Sequence, residues 1–165
     1  MVILAIDSGL ERTGWAVFEK KINGATTFKY ITSGLITTDR AKSLEQRLLQ
    51  LHKELFQLFK SHKPQRIIIE QLFFFKNQKS AIKVSQAQGV IMLVAAKHKI
   101  PCEFLTPLQV KSIVTGYGRS DKKAVQKMLK LTLKLDKELK QDDQADAIAC
   151  GLAYCYLNQN LVKCF

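Results

Sequence analysis

Val2-Ile3-Leu4-Ala5-Ile6 is an unbroken apolar run that ends on an acid, Asp7, and stops at Ser8-Gly9. A run this short, bounded by a turn, reads as a strand buried on both faces. A second run of the same kind, Arg66-Ile67-Ile68-Ile69-Glu70, also ends on an acid. Between the two, Ser43 with Gln46 makes a capping-box pattern. Leu44, Leu48, Leu51, Leu55 and Leu58 then recur at helical spacing as far as about His62, and Lys63-Pro64 ends the helix. Strand, helix and strand in that order predict a right-handed crossover, so the second strand lies parallel beside the first. Asp7 and Glu70 then share one edge of the sheet, at the strand ends where open α/β sheets keep their ligands.

The rest of the chain fills in around that pair. Gly14-Trp15-Ala16-Val17-Phe18-Glu19-Lys20 reads as a strand, Asn23-Gly24 as a hairpin turn, and Thr26 to Thr37 as the returning strand. The chain therefore opens with three antiparallel strands. Ser80 to His98 is helical but apolar nearly all round, which predicts burial on more than one side. Glu103-Phe104-Leu105 is a short strand, and Thr106 caps a helix with Pro107 in its first position and Gly116 at its stop. Ser120 is expected to cap another helix, running to about Leu135, with Lys123, Lys127, Lys130 and Lys134 opposite Val125, Met128 and Leu129. That lysine row is equally a solvated face or a set of phosphate contacts. A last helix starts near Asp142. No repeat or linker interrupts the series, so residues 1–158 are expected to form one domain, with 159–165 as a short tail.

A chain of 165 residues that is 47% hydrophobic is long enough for a real core. Its net charge of +12 calls for an acidic partner: nucleic acid, an anionic membrane or an acidic protein. Membrane is the weakest of these. The longest apolar run, Gly89 to Ala96, is too short to span, and the N-terminal run meets Asp7 too early for a signal peptide. A cytoplasmic or organellar location is expected. Cys102, Cys150, Cys155 and Cys164 show no paired spacing and do not cluster with the histidines, so they read as reduced thiols.

Asp143 and Asp146 are three apart and share a helix face. Each acid alone has an ordinary account: turn chemistry for Asp7, solvation for Glu70, the helix dipole for the pair. Four carboxylates together repel one another unless a cation sits among them. Oxygen ligands suit Mg²⁺, and two such ions about 4 Å apart are the usual device for in-line phosphoryl transfer. Acids at the metals and lysines elsewhere is the charge plan of a nuclease.

Asp7-Ser8-Gly9 with Thr13-Gly14, Ile69-Glu70-Gln71 with Phe73 and Lys76-Asn77, Gln86-Ala87 with Gly89, Val110-Lys111, and Asp143 with Asp146-Ala147 follow in order over nearly the whole chain. In these motifs the sequence resembles the RuvC family of Holliday-junction resolvases. The resemblance implies an α/β, ribonuclease H-like fold: a mixed five-stranded sheet, its first three strands antiparallel, with helices on both faces. It implies Asp7, Glu70, Asp143 and Asp146 as catalytic ligands of Mg²⁺, two ions per site, with Mn²⁺ as an alternative. It further implies Lys111 and Lys122 near the scissile phosphate, and Phe73 against bases at the crossover. Phe74, Lys76, Lys79, Lys83 and Arg119 are placed in the same DNA-contact set. Ser8 departs from the proline usual at its position, and Phe73-Phe74-Phe75 offers more rings than one stacking contact needs.

The function expected is a Mg²⁺-dependent homodimeric endonuclease that nicks four-way DNA junctions in symmetric pairs, with room for branch-migration helper proteins as partners. The competing readings are a nuclease of structured RNA or pre-rRNA using the same acids, a junction-binding protein without catalysis, and a sugar-kinase-like ATPase. The chain is too short for two kinase lobes and has no second Asp-x-Gly loop.

Overall fold

The computed structural model describes residues 1–23, 25–71, 78–135, 139 and 141–157. Its elements run β1 (Val2–Asp7), β2 (Arg12–Asn23), β3 (Ala25–Thr37), α1 (Leu44–His62), β4 (Arg66–Glu70), α2 (Gln78–Lys97), β5 (Cys102–Leu105), α3 (Pro107–Thr115), α4 (Lys122–Leu133) and α5 (Asp142–Leu157). The strands form one sheet in the order β3-β2-β1-β4-β5. The first three are antiparallel, while β4 runs parallel to β1 and β5 parallel to β4. This is the mixed α/β architecture expected from the sequence.

Alternation along β1 explains the layering. Ile3 and Ala5 point to one face, where they join Phe18, Ile68 and the buried residues of α3, α4 and α5. Leu4 and Ile6 point to the other, where Ile67 and Ile69 meet α1 and α2. Side chains of this size contribute about 1.5–3 kcal/mol each on burial. The two acid-bearing strands are thus held by core packing on both sides, independently of any ligand.

Local signals set most boundaries. The Ser43–Gln46 capping box opens α1 in full, and Lys63 closes it in the left-handed conformation at φ 47°. Thr106, Pro107 and Gly116 bound α3 as expected. The start of α4 differs. Asp121, not Ser120, is the cap, its Oδ1 accepting from the Ala124 N–H at 2.7 Å. The Ser120 hydroxyl is taken up by the Tyr117 carbonyl at 2.7 Å and by Thr115. The helix ends at Leu133 rather than Leu135, because Lys134 turns left-handed and bonds back to the Lys130 carbonyl. Likewise β2 starts earlier than expected, at Arg12, because that residue already pairs with Thr37.

One contact fixes α5 on the sheet. A Cβ added at Gly14 would lie 1.8 Å from the backbone carbonyl oxygen of Asp143. Glycine here lets the first turn of α5 rest directly on β2, opposite Asp7 in the ladder. Gly14→Ala is therefore expected to destabilise the protein by about 1–3 kcal/mol, since backbone and not a flexible tip must yield. Denaturant unfolding checks this, and an unchanged midpoint would mean that α5 is not seated there.

The α2 helix turns Ala87, Ile91, Val94 and Ala95 into the core. Its other side leaves Ile82 61% and Leu93 52% exposed, along with Met92. Between them Gly89 faces open space. Among the described residues no helix is long and apolar enough to cross a membrane.

Candidate active site

Asp7 and Glu70 end adjacent parallel strands whose register pairs Ile6 with Ile69, so the two acids stand side by side at one tip of the sheet. The turn after Asp7 is built for close packing. A Cβ at Gly9 would come 2.2 Å from the Arg12 carbonyl oxygen. The Thr13 hydroxyl closes the same loop onto the Gly9 carbonyl at 2.6 Å. Ser8 is buried, and its hydroxyl accepts from Gln88 Nε2 at 2.9 Å. The same amide reaches the Glu70 carbonyl at 3.1 Å. Gln88 of α2 thus ties the Asp7 turn to the end of β4. Nothing in the sequence marked Gln88 out from its polar neighbours.

Asp143 and Asp146 descend on this tip from the first turns of α5. The four carboxylates sense one another. Burial, then the charges of Glu70, Asp146 and Asp143, push the Asp7 carboxyl up to about 8. Burial and Asp146 push Glu70 up to about 7. Asp146 is raised as well, by burial and with a smaller part from Asp142 and Asp143.

Cations hold this cluster from two sides. Lys122 Nζ lies 3.2 Å from Asp142 Oδ2 and 3.8 Å from Asp146 Oδ2. Burial works against its charge, but Asp146, Asp142 and Asp143 together hold its pKa above the ordinary lysine value. Lys111 and Lys122 line one cleft with Glu70 and Asp146. On the other side Arg12 Nε lies 2.9 Å from Asp143 Oδ2. That oxygen is nevertheless buried without an aligned hydrogen-bond donor. Asp142, adjacent in sequence to Asp143, is the nearer of the two acid partners of Lys122.

Among the described residues, no three acids close on one point as a finished metal cage. The donor set still fits a hard divalent cation: four carboxylates, two of them with pKa values raised by burial and neighbouring negative charge that a cation would relieve, and one buried oxygen with no aligned donor.

A family model described as crossover junction endodeoxyribonuclease RuvC matches residues 3–155. The chain belongs to the RuvC family. Similar RuvC proteins include that of Thermosipho melanesiensis, 46% identical over 155 residues and covering 94% of this chain and 96% of the relative. The protein of Petrotoga mobilis is 46% identical over 158 residues, covering 96% of this chain and 94% of its own. In fold, the chain is similar to Thermus thermophilus RuvC, with a TM-score of 0.85 at 24% identity, covering 96% of both chains. The same protein in complex with a Holliday junction substrate aligns with a TM-score of 0.87, again at 24% identity, covering 96% of this chain and 95% of that one.

For the RuvC chain, the remaining sequence-derived positions divide cleanly. Lys111 and Lys122 sit at the carboxylates, and Lys83 lines a second cleft on the other side of Asp143. Arg119 is exposed in the α3–α4 turn and lines neither cleft. Phe73, Phe74 and Lys76 lie outside the described residues, as does the side chain of Lys79. Arg12, Arg40 and Arg47 were not singled out from the sequence, although all three border the second cleft.

Proposed function

We propose that this chain is a crossover junction endodeoxyribonuclease that binds four-way DNA junctions as a homodimer and nicks them with divalent metal held by Asp7, Glu70, Asp143 and Asp146. The observation that carries the reading is the convergence of these acids at one sheet tip, where burial and neighbouring charge raise the pKa values of Asp7, Glu70 and Asp146, with Lys111 and Lys122 in the adjoining cleft. Mg²⁺, when bound, supplies an activated water and neutralises charge on the leaving oxygen. The chain's own contribution is positional. Asp7 and Glu70 are fixed by the parallel ladder, and Asp143 and Asp146 by the seat of α5 on Gly14.

Lys122 balances the acids in the resting site and is free to turn to a phosphate once a cation replaces it. Lys111 faces the same cleft without being drawn into an ion pair among the described residues. A full-length match to bacterial relatives named for this activity supports a DNA substrate over structured RNA. The exposed stripe of α2 supports pairing of two copies. Cytoplasmic action, with branch-migration helpers as further partners, belongs to the same reading.

Labelled four-way DNA, linear duplex and structured RNA offered in parallel test it. Mg²⁺-dependent nicks confined to the four-way DNA are expected. Preferential cleavage of RNA would transfer the site to a ribonuclease, and binding without nicking in any divalent metal would leave a junction-binding protein.

A further inference from the structure

The carboxylate tip has a second basic wall. The β1–β2 turn, the connection between β3 and α1, and the start of α2 enclose a cleft lined by Arg12, Arg40, Arg47 and Lys83 with Glu11 and Asp143. It shares no lining residue with the cleft of Lys111 and Lys122. The first cleft is walled by α3 and α4 on one face of the sheet, the second by α1 and α2 on the other, and the acids lie between.

The second cleft is built rather than merely solvated. Buried Thr38 donates its hydroxyl to the Leu10 carbonyl at 2.6 Å, and its N–H bonds to the Glu11 carbonyl at 2.9 Å. This clamps the β3–α1 connection onto the turn that follows Asp7. The same hydroxyl accepts from Arg47 Nε at 2.9 Å, which sets the direction of that guanidinium. Glu11 holds Arg40, and Asp143 holds Arg12. Four cations thus face two acids, and the two left without an acid among the described residues are Lys83 and Arg47, the latter a planar guanidinium fork whose geometry matches phosphate oxygens.

We propose that this cleft is a second phosphate site, in which Arg40, Arg47 and Lys83 hold a backbone phosphate of the DNA strand on the side of the carboxylates away from Lys111 and Lys122. The strand then crosses the acids anchored at both flanks. The scissile phosphate is positioned by two grips rather than one, which is how oriented binding lowers a barrier. The inference rests on the junction-nuclease reading. Glu11 acts as a placeholder that keeps Arg40 extended into the cleft until a phosphate displaces it.

Binding of a labelled four-way junction, measured against salt with Ca²⁺ in place of Mg²⁺, tests the site. Arg40→Gln with Arg47→Gln is expected to make the slope of log affinity against log salt shallower by about 0.9 for each phosphate that is no longer neutralised. Arg40→Lys should keep the slope, while Glu11→Gln, which frees Arg40, should tighten binding severalfold. An unchanged slope in the double variant, at an unchanged melting temperature, would overturn the proposal. Should removal of the Arg47–Thr38 hydrogen bond unfold that variant, Arg40→Gln and Glu11→Gln decide alone, because the Arg40 side chain is 76% exposed. No opposite shift in those two would equally overturn it. Failure of the underlying reading looks different: the unmodified protein would then not nick the four-way DNA in Mg²⁺.

Discussion

Replacing Asp7 with asparagine is expected to lower junction nicking about 10³-fold or more while leaving junction binding unchanged or tighter. Loss of roughly 4 kcal/mol of charge stabilisation at the reacting phosphate corresponds to that factor. Binding survives because the phosphates are met by lysines and arginines, and removing a negative charge from the cluster eases their approach. The same substitution should make the metal-free protein more stable. The Asp7 carboxyl is raised from 3.8 to about 8 in the folded state, so the folded protein binds more protons than the unfolded chain across that window. Stability of the unmodified protein therefore falls as pH rises from about 4 to about 8.

The asparagine side chain cannot titrate, so the gain in the Asp7→Asn variant should be absent near pH 4 and reach about 1–3 kcal/mol at pH 8. Denaturant unfolding in chelator at both pH values measures it. Added Mg²⁺ should stabilise the unmodified protein and much less the variant. Loss of binding in step with cleavage, or a gain that does not grow with pH, would make Asp7 a structural residue.

Leu93→Glu is expected to yield a folded monomer that nicks single strands and no longer makes paired cuts. Leu93 and Ile82 stand exposed on one side of α2, with Gly89 open between them, while the opposite side is sunk in the core. An apolar stripe of this kind is costly to leave in water, and two-fold pairing with its own copy is the commonest way to cover it. Such pairing relates two carboxylate tips by the axis that a four-way junction also has. Val90 is a poorer place for the charge, because it packs partly against the core, so its substitution would confound folding with assembly. Sedimentation and the ratio of linear to nicked product from a cruciform plasmid decide the matter. An unmodified protein that is monomeric at micromolar concentration yet still cuts in pairs would sink the idea.

What could be read in the sequence was what depends on near neighbours. The Ser43–Gln46 box and the Thr106-Pro107 start act within one helical turn, and both stand as expected. The parallel placement of Asp7 and Glu70 followed from two apolar runs and the helix between them. The α4 cap was misplaced by one residue because Ser120 and Asp121 are both good caps. The choice is made by Thr115, which engages the Ser120 hydroxyl from the previous helix.

The cations around the acids were the least legible part. Arg12 meets Asp143 from far away in the chain, and Arg47 is aimed by a threonine that itself hangs on the Leu10 carbonyl. Among the 26 lysines and arginines of the chain, no local pattern separates these from the rest.

The β2–β3 ladder runs from Arg12 and Thr37 at the carboxylate end to Asn23 and Ala25 at the far end. Asp7 and Glu70 are strand ends, and Asp143 and Asp146 belong to the opening turns of a helix seated on Gly14. Asp143 and Asp146 share a helix face because they are three apart, but the counts from Asp7 to Glu70 and from Glu70 to Asp143 place no acid. The far hairpin can therefore gain or lose residues over evolutionary time without moving the chemistry, and a tag or reporter inserted there should leave the centre undisturbed. Sequence length from Asp7 to Glu70 is free to drift, whereas the single hydrogen atom that serves as the side chain of Gly14 is not.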